Sequence, residues 1–201
     1  MLPVTVRLKD QQVVIVGGGN VAARRIQYFL DQEATIIVVS PSLNEELQQR
    51  YLDNEFTWRN RPFHESDVDG ALIIIAATNS QEVNAHVGLC CKSNQLVNIA
   101  DDTKKSNFYF PATLKKGLLT IAVTTSGASP VLSQKIRDDI ASNIDDRLIQ
   151  YIDFVKSARR QIIDSPIQPL QKKLLLSELI ETPMYSESEQ QAFLQQLALN
   201  V

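Results

Sequence analysis

Val13-Val14-Ile15-Val16-Gly17-Gly18-Gly19-Asn20-Val21-Ala22 is the stretch that decides the fold. Four consecutive β-branched residues predict a strand buried on both faces, and three glycines end it. From Asn20 the apolar residues Val21, Ala22, Ile26, Phe29 and Leu30 recur at helical spacing, with Arg24, Arg25 and Gln27 on the other side. The stretch fits G-x-G-x-x-A at a strand-to-helix junction. Gly17 permits the tight turn, Gly19 lets main chain approach a pyrophosphate, and Ala22 keeps the helix close to the sheet. Amides at the helix start then face the phosphates. A glycine-rich turn alone says little, because any tight turn satisfies it. The preceding strand, the following helix and a second strand at Ile36-Ile37-Val38-Val39 make dinucleotide binding the better reading.

The same alternation continues outward. Leu43 to Leu52 reads as a helix, Phe56-Thr57-Trp58 as a short strand near an edge, and Leu72-Ile73-Ile74-Ile75 as the most apolar strand. A helix from Gln81 to Lys92 and a strand at Leu96-Val97-Asn98-Ile99 follow. Apolar strands separated by helices predict an α/β fold with a doubly wound parallel sheet covered on both faces. After residue 100 the pattern changes. Asn107-Phe108-Tyr109-Phe110 and Leu118 to Val123 are predicted strands, joined through Lys115-Lys116-Gly117. Ser129-Pro130 opens a helix, with Ser as cap and Pro at the first helical position. From Val131 the chain is almost wholly helical, with breaks at Ser165-Pro166 and Thr182-Pro183.

Composition narrows the partners. A chain of 201 residues with 44% hydrophobic residues is long enough for one core plus a small appendage, which excludes disorder and disulfide-stapled miniproteins. The formal net charge of -3 argues against nucleic acid and against an anionic membrane, so an anionic ligand has to meet local positive charge. Cys90 and Cys91 are adjacent, which suits neither an ordinary disulfide nor a zinc site, and a reducing compartment is expected. The start, Met1-Leu2-Pro3-Val4-Thr5-Val6-Arg7, lacks the basic and apolar regions of a signal peptide. The run Ala71 to Ala77 falls far short of the roughly 20 residues that cross a bilayer. A soluble, cytoplasmic protein is expected.

One part of the dinucleotide fingerprint is missing. An acid at the end of the second strand should hold the adenosine ribose, but the chain reads Val39-Ser40-Pro41-Ser42 there. Hydroxyl or main-chain groups at Ser40, Pro41 and Ser42 have to hold it instead. No Arg stands there for a 2′-phosphate, so NAD is expected over NADP. The predicted cofactor-binding set is Gly17, Gly18, Gly19, Asn20, Val21, Ser40, Pro41, Ser42 and Thr78.

From Gly17 through Arg25 the sequence resembles the precorrin-2 dehydrogenase / sirohydrochlorin ferrochelatase family, the N-terminal module of sirohaem synthases. The likeness continues through Ala76-Ala77-Thr78-Asn79, Val83-Asn84, Val97 to Asp102, Asn107 to Ala112 and Ile121 to Leu132, in the family's order and over about the first 140 residues. The resemblance implies a Rossmann-like NAD-binding domain over residues 1–112, a small α+β dimerisation region over 113–145, and a helical C-terminal tail over 146–201. It implies NAD-dependent oxidation of precorrin-2 to sirohydrochlorin by a homodimer, with ferrous iron insertion at the same site as an alternative. The family's catalytic aspartate falls at Asp101. Where the family has Gly-Gly after paired hydroxyl residues, this chain has Ser126-Gly127 after Thr124 and Thr125.

The chemistry follows from those residues. Oxidising precorrin-2 removes a hydride and a proton, and a carboxylate beside the nicotinamide can accept the proton. Asp101 is the candidate general base; an ordinary solvated turn or helix cap is the plain alternative for Asp101-Asp102. Precorrin-2 carries eight carboxylates. Lys104 and Lys105 are candidate partners for them, with Lys115, Lys116, Lys135 and Arg137 as further basic residues that form either a local cluster or a scattered surface. Thr124, Thr125 and Ser126 either bind a substrate carboxylate or cap their own loop. His64 and His86 read as isolated structural or surface residues, so no metal site is expected. A non-catalytic NAD-sensing regulatory module is the alternative from another class. Such modules keep the acid after the second strand and lack the Phe110-Pro111-Ala112 and Gly127-Ala128-Ser129-Pro130 segments.

Overall fold

The computed structural model describes residues 2–199. Its contacts divide the chain into two units, one ending at Tyr109 and one starting at Phe110. The first unit carries strands β1 (Gln12–Val16), β2 (Thr35–Val39), β3 (Thr57–Arg59), β4 (Ala71–Ala76) and β5 (Leu96–Ile99). They form one sheet in the order β3-β2-β1-β4-β5, and every pairing is parallel. Helices α1 (Asn20–Ile26), α2 (Glu45–Leu52) and α3 (Gln81–Cys90) make the crossovers. This is the predicted Rossmann-like doubly wound sheet, with the short strand at its edge.

Burial explains why these runs become strands. Val13, Val14, Ile15 and Val16 are at most 1% exposed, so β1 is covered on both faces. Val14, Val16, Val39, Ile74, Ala76 and Ile99 meet Val68 and Val87 in one core layer. The period-2 geometry of the strands sends Val13, Ile15, Ile73 and Ile75 to the other layer.

Before residue 111, two segments differ from the sequence reading. The apolar periodicity predicted a helix through Leu30, but α1 stops at Ile26. Tyr28 and Phe29 donate their amides to Arg25 and Ile26, three residues back, and a 3-10 turn spans Leu30–Gln32. Phe29 stays buried, so the spacing identified the covered face and missed the end of the helix. Asn107-Phe108-Tyr109-Phe110 is not a strand. The segment runs beside β5 but satisfies it with side chains: Val97 N donates to Asn107 Oδ1 at 2.7 Å and Ile99 N to Ser106 Oγ at 2.9 Å. Asn107 N donates to Val97 O, and Asn98 Nδ2 to Phe108 O. Side-chain acceptors thus close the edge of the sheet without a further ladder.

In the second unit β6 (Ala112–Lys116) and β7 (Leu119–Val123) form an antiparallel hairpin. Lys115 and Lys116 lie inside β6, not in the connection as expected, and the two-residue turn is Gly117-Leu118. Gly117 has φ +53, the left-handed conformation that the first central position of such a turn requires. Helix α4 (Pro130–Ser142) follows, capped by Ser129 with Pro130 at its start as predicted. Helices α5 (Asp146–Asp164), α6 (Pro169–Glu181) and α7 (Glu187–Leu199) share a separate core of Ala158, Ile162, Leu175, Leu179, Phe193 and Leu197. Tyr151 donates its hydroxyl to Leu179 O across this core. No helix among the described residues is long and apolar enough to cross a membrane.

One buried charge fastens the crossover between β3 and β4. Arg61 clamps Asp67 at 2.6 and 2.7 Å, Arg59 adds a contact at 2.6 Å, and the His64 amide a fourth at 2.8 Å. Burial pushes the Asp67 carboxyl up, but Arg61, the His64 amide and Arg59 together outweigh it and hold the group down at about 2. The folded form therefore gains stability from the carboxylate that is fully present above pH 4 and lost as the pH falls toward 2. Allowing for solvent at the guanidiniums, the contribution is on the order of 1–2 kcal/mol. Asp67→Asn is expected to cost about 2 kcal/mol at neutral pH and to flatten the stability profile between pH 4 and 2, measured by urea denaturation. An unchanged profile would contradict this role.

Candidate dinucleotide site and the Asp101 cleft

The strands end level. Val16 pairs with Val39 and with Ala76, and Ala76 with Ile99, so the loops after β1, β2, β4 and β5 leave the sheet along one edge. Strand order reverses at β1, which opens a crevice between its loop and the loop after β4. At a strand spacing of roughly 4.8 Å, β5 lies about 10 Å from β1 along that edge.

The glycines divide the work of building the crevice. Gly17 has φ +124, and a Cβ there would fall 2.3 Å from Ala77 O. Gly18 is tighter still: a Cβ would stand 1.9 Å from Ser42 O, while its own carbonyl accepts from Asn44 N at 2.8 Å. A Cβ on Gly19 would meet nothing within 4 Å. Gly17 and Gly18 let three loops touch backbone to backbone, and Gly19 leaves open space where a ligand's phosphates can approach.

The start of α1 supports the same use. Its cap residue, Gly19, supplies no side-chain acceptor, and the first turn carries no acid. The amides of Asn20, Val21 and Ala22 therefore lack intrahelical acceptors. Helices α2, α3, α4 and α5 are capped instead by Asn44, Ser80, Ser129 and Asp145. Uncapped amides beside open space suit the phosphates of a dinucleotide.

The remaining predicted cofactor residues take different places. Ser40 is buried; its amide donates to Arg59 O and its carbonyl accepts from Trp58 Nε1 at 2.9 Å. Pro41 and Ser42 are exposed. Thr78 donates its amide to Asn84 Oδ1 at 3.0 Å, and Asn84 returns a bond to Thr78 O at 3.1 Å. Asn84 is 1% exposed and pins the loop after β4. Asn44 caps α2 and donates to Asn20 Oδ1 at 2.8 Å, joining the second loop to the first. The sequence signalled both asparagines weakly: Asn44 precedes Glu45-Glu46 as a cap does, and Asn84 was noticed only within the family resemblance. Arg59 was missed altogether. It pairs with Val39 across the sheet, so it neighbours the loop at Ser40, but its guanidinium is held by Asp67.

Asp101 lies two residues beyond β5, in a turn where Asp102 N donates to Ile99 O. With Gln81, Ala85, Ile99, Asp102 and Lys105 it lines a cleft of about 150 Å³. The Asp101 carboxylate makes no hydrogen bond or ion pair among the described residues. Asp102 differs. It accepts from the amides of Lys104 and Lys105, capping the turn Thr103–Lys105, and pairs with Lys105 Nζ at 3.3 Å. Partial burial opposes its ionisation, but Lys105 and those two amides hold the carboxyl below its usual range. Lys104 is exposed.

The other substrate candidates belong to the second unit. Thr125 Oγ accepts from Ser129 N and donates to Ser129 O, both at 3.0 Å, and Thr124 Oγ accepts from Ser126 N. Ser126 has φ +53, the conformation that glycine adopts most easily. Lys116 donates to Ile144 O, and Arg137 pairs with Asp138. His64 caps the 3-10 turn Glu65–Val68. His86 is not isolated, contrary to expectation: its Nε2 lies 3.1 Å from Glu65 Oε1.

Comparison with known proteins converges on one group. A family model described as putative NAD(P)-binding matches residues 4–112, and one described as sirohaem biosynthesis protein, central, matches residues 116–143. A precorrin-2 dehydrogenase of Priestia megaterium is 35% identical over 198 residues, 98% of this chain and 98% of that one. A precorrin-2 dehydrogenase of Bacillus subtilis (strain 168) is 33% identical over 161 residues, 80% of this chain and 99% of its own. The solved structure of SirC, a precorrin-2 dehydrogenase, superposes with a TM-score of 0.86 at 35% identity, covering 99% of this chain and 100% of that one.

The glycine geometry separates folding from binding. Gly18→Ala is expected to destabilise the protein by about 1–3 kcal/mol, because its Cβ meets backbone that cannot yield. Gly19→Ala should change stability by less than about 0.5 kcal/mol and weaken dinucleotide binding at least tenfold. Thermal melts and nucleotide titration of the two variants check this. Equal effects in both would contradict the division.

Proposed function

The chain belongs to the precorrin-2 dehydrogenase family, and on that footing we propose that it oxidises precorrin-2 to sirohydrochlorin in sirohaem synthesis, with NAD accepting the hydride and Asp101 the proton. The full-length relatives named as dehydrogenases favour this reading over ferrochelatase activity and over a non-catalytic nucleotide sensor.

NAD bound at the crevice supplies the two-electron acceptor for the hydride. The protein's own residues do the rest. The open side of Gly19 and the uncapped amides of α1 bind the pyrophosphate and set the cofactor's direction across the edge. Pro41 and Ser42 carry exposed groups for the adenosine ribose. Preference for NAD over NADP is supported by the commitment of Arg59 to Asp67, which leaves that guanidinium engaged away from a 2′-phosphate. On the opposite side of the switch point, Asp101 takes the proton that leaves the macrocycle with the hydride. One observation carries this assignment: the unpaired carboxylate stands on the β5 side of the edge from which the glycine loop emerges. Lys104 and Lys105 are the cations we assign to the substrate's carboxylates, Lys105 by exchanging its contact with Asp102.

Asp101→Ala should leave NAD affinity within about twofold and lower kcat by 10²-fold or more, the range typical of a lost general base. Near-normal turnover would remove Asp101 from the mechanism.

We further assign a homodimer in a reducing, cytoplasmic setting. Val131, Leu132 and Ile136 of α4 are 76%, 48% and 37% exposed, an apolar stripe beside a two-stranded ribbon that is marginal by itself. The free thiols of Cys90 and Cys91 suit such a compartment. Light scattering should report twice the chain mass for the natural protein and the single mass for Val131→Glu. A monomeric natural protein would overturn the assignment.

A further inference from the structure

We propose that Glu65, His86 and Cys90 form a binding site for a divalent first-row transition ion of the zinc type. His86 and Cys90 stand four residues apart in α3 and so share one stripe of the helix. Glu65 comes from the crossover before β4, at the start of its 3-10 turn. One ligand atom from each of the three lies within 4.8 Å of the other two. A tetrahedral ion with bonds of about 2.0–2.3 Å needs its ligand atoms roughly 3.3–3.8 Å apart. The Glu65–His86 separation of 3.1 Å is slightly short of that span, so small rotations of exposed side chains reach it.

The donor set selects the ion. One imidazole, one thiolate and one carboxylate suit Zn²⁺ or Co²⁺, whereas Mg²⁺ and Ca²⁺ ask for oxygen throughout. The ring of Phe63 packs edge-on against His86, centroids 5.9 Å apart. A dication placed between Cys90 and Glu65 displaces the thiol proton to solvent and balances the thiolate and the carboxylate. Cys91 does not join: its sulfur donates to Val87 O at 3.0 Å, and burial, with Cys90 beside it, pushes that thiol up to about 11.

The site is separate from the Asp101 cleft. Gln81 and Ala85 face that cleft, and the stripe carrying His86 and Cys90 lies about 140° round the helix. An ion there ties the crossover to α3 and stabilises the folded chain by mass action. The ordinary alternative is a surface His86–Glu65 pair with a bystander thiol.

Titration of the untagged, reduced full chain with Co²⁺ separates the two. One equivalent should bind with a near-ultraviolet thiolate charge-transfer band and should be displaced by Zn²⁺. Cys90→Ser should abolish the band and weaken binding at least tenfold, Glu65→Gln should weaken it measurably, and Cys91→Ser should change neither. Dehydrogenase turnover of the metal-free variants should stay at the natural level, showing that they fold. Absence of the band, or a band that survives Cys90→Ser, overturns the site.

Discussion

Backbone lies directly on backbone at the edge where the strands end. Gly18 meets the carbonyl of Ser42, and Gly17 meets that of Ala77, at separations no side chain allows. These two approaches draw the loops after β1, β2 and β4 together. They form the floor of the crevice and place the bare start of α1 over it. Asn44 and Asn84 lock the arrangement with hydrogen bonds between and within the loops. Everything assigned to cofactor binding depends on that contact, because a loop held open by one Cβ would carry its amides away from the phosphates.

Much of this was legible in the chain, and the physical reason is locality. Strand and helix types follow from spacing within ten or so residues. Val13 to Val16 and the glycines behind them therefore announced a Rossmann-like start. Ser129-Pro130 announced the start of α4 because capping is settled within one turn. What escaped depended on partners far along the chain. Asn107 to Phe110 has the composition of a strand, yet its asparagine side chain satisfies β5 in place of a ladder. Helix α1 ends at Ile26, before its apolar period does. Arg59 reaches the second loop through sheet register alone, and Gly18 was recognised as a loop glycine without the reason for it. His86 looked isolated because Glu65 is 21 residues away.

The site shows a division of labour between neighbouring acids. Asp102 is consumed by its own loop, capping a turn and holding Lys105, while the carboxylate of Asp101 makes no contact in the first unit. In the sequence only the family resemblance singles out Asp101; by composition the two are an ordinary acidic pair. Similarly, the hydroxyls of Thr124 and Thr125 are engaged by the loop that carries them. Groups already satisfied by the fold stabilise it; groups left unsatisfied beside open space are the ones available for chemistry.

Family membership joins these observations to a reaction, and the reaction has a strict balance. Each precorrin-2 oxidised gives up two electrons as hydride, together with one proton. The most direct measurement mixes the purified protein with precorrin-2 and NAD under anaerobic conditions and follows both absorbance spectra. The account predicts one NADH for each sirohydrochlorin formed, with neither appearing when NAD is left out. NAD binding without sirohydrochlorin formation, or sirohydrochlorin formed without NADH, would contradict it.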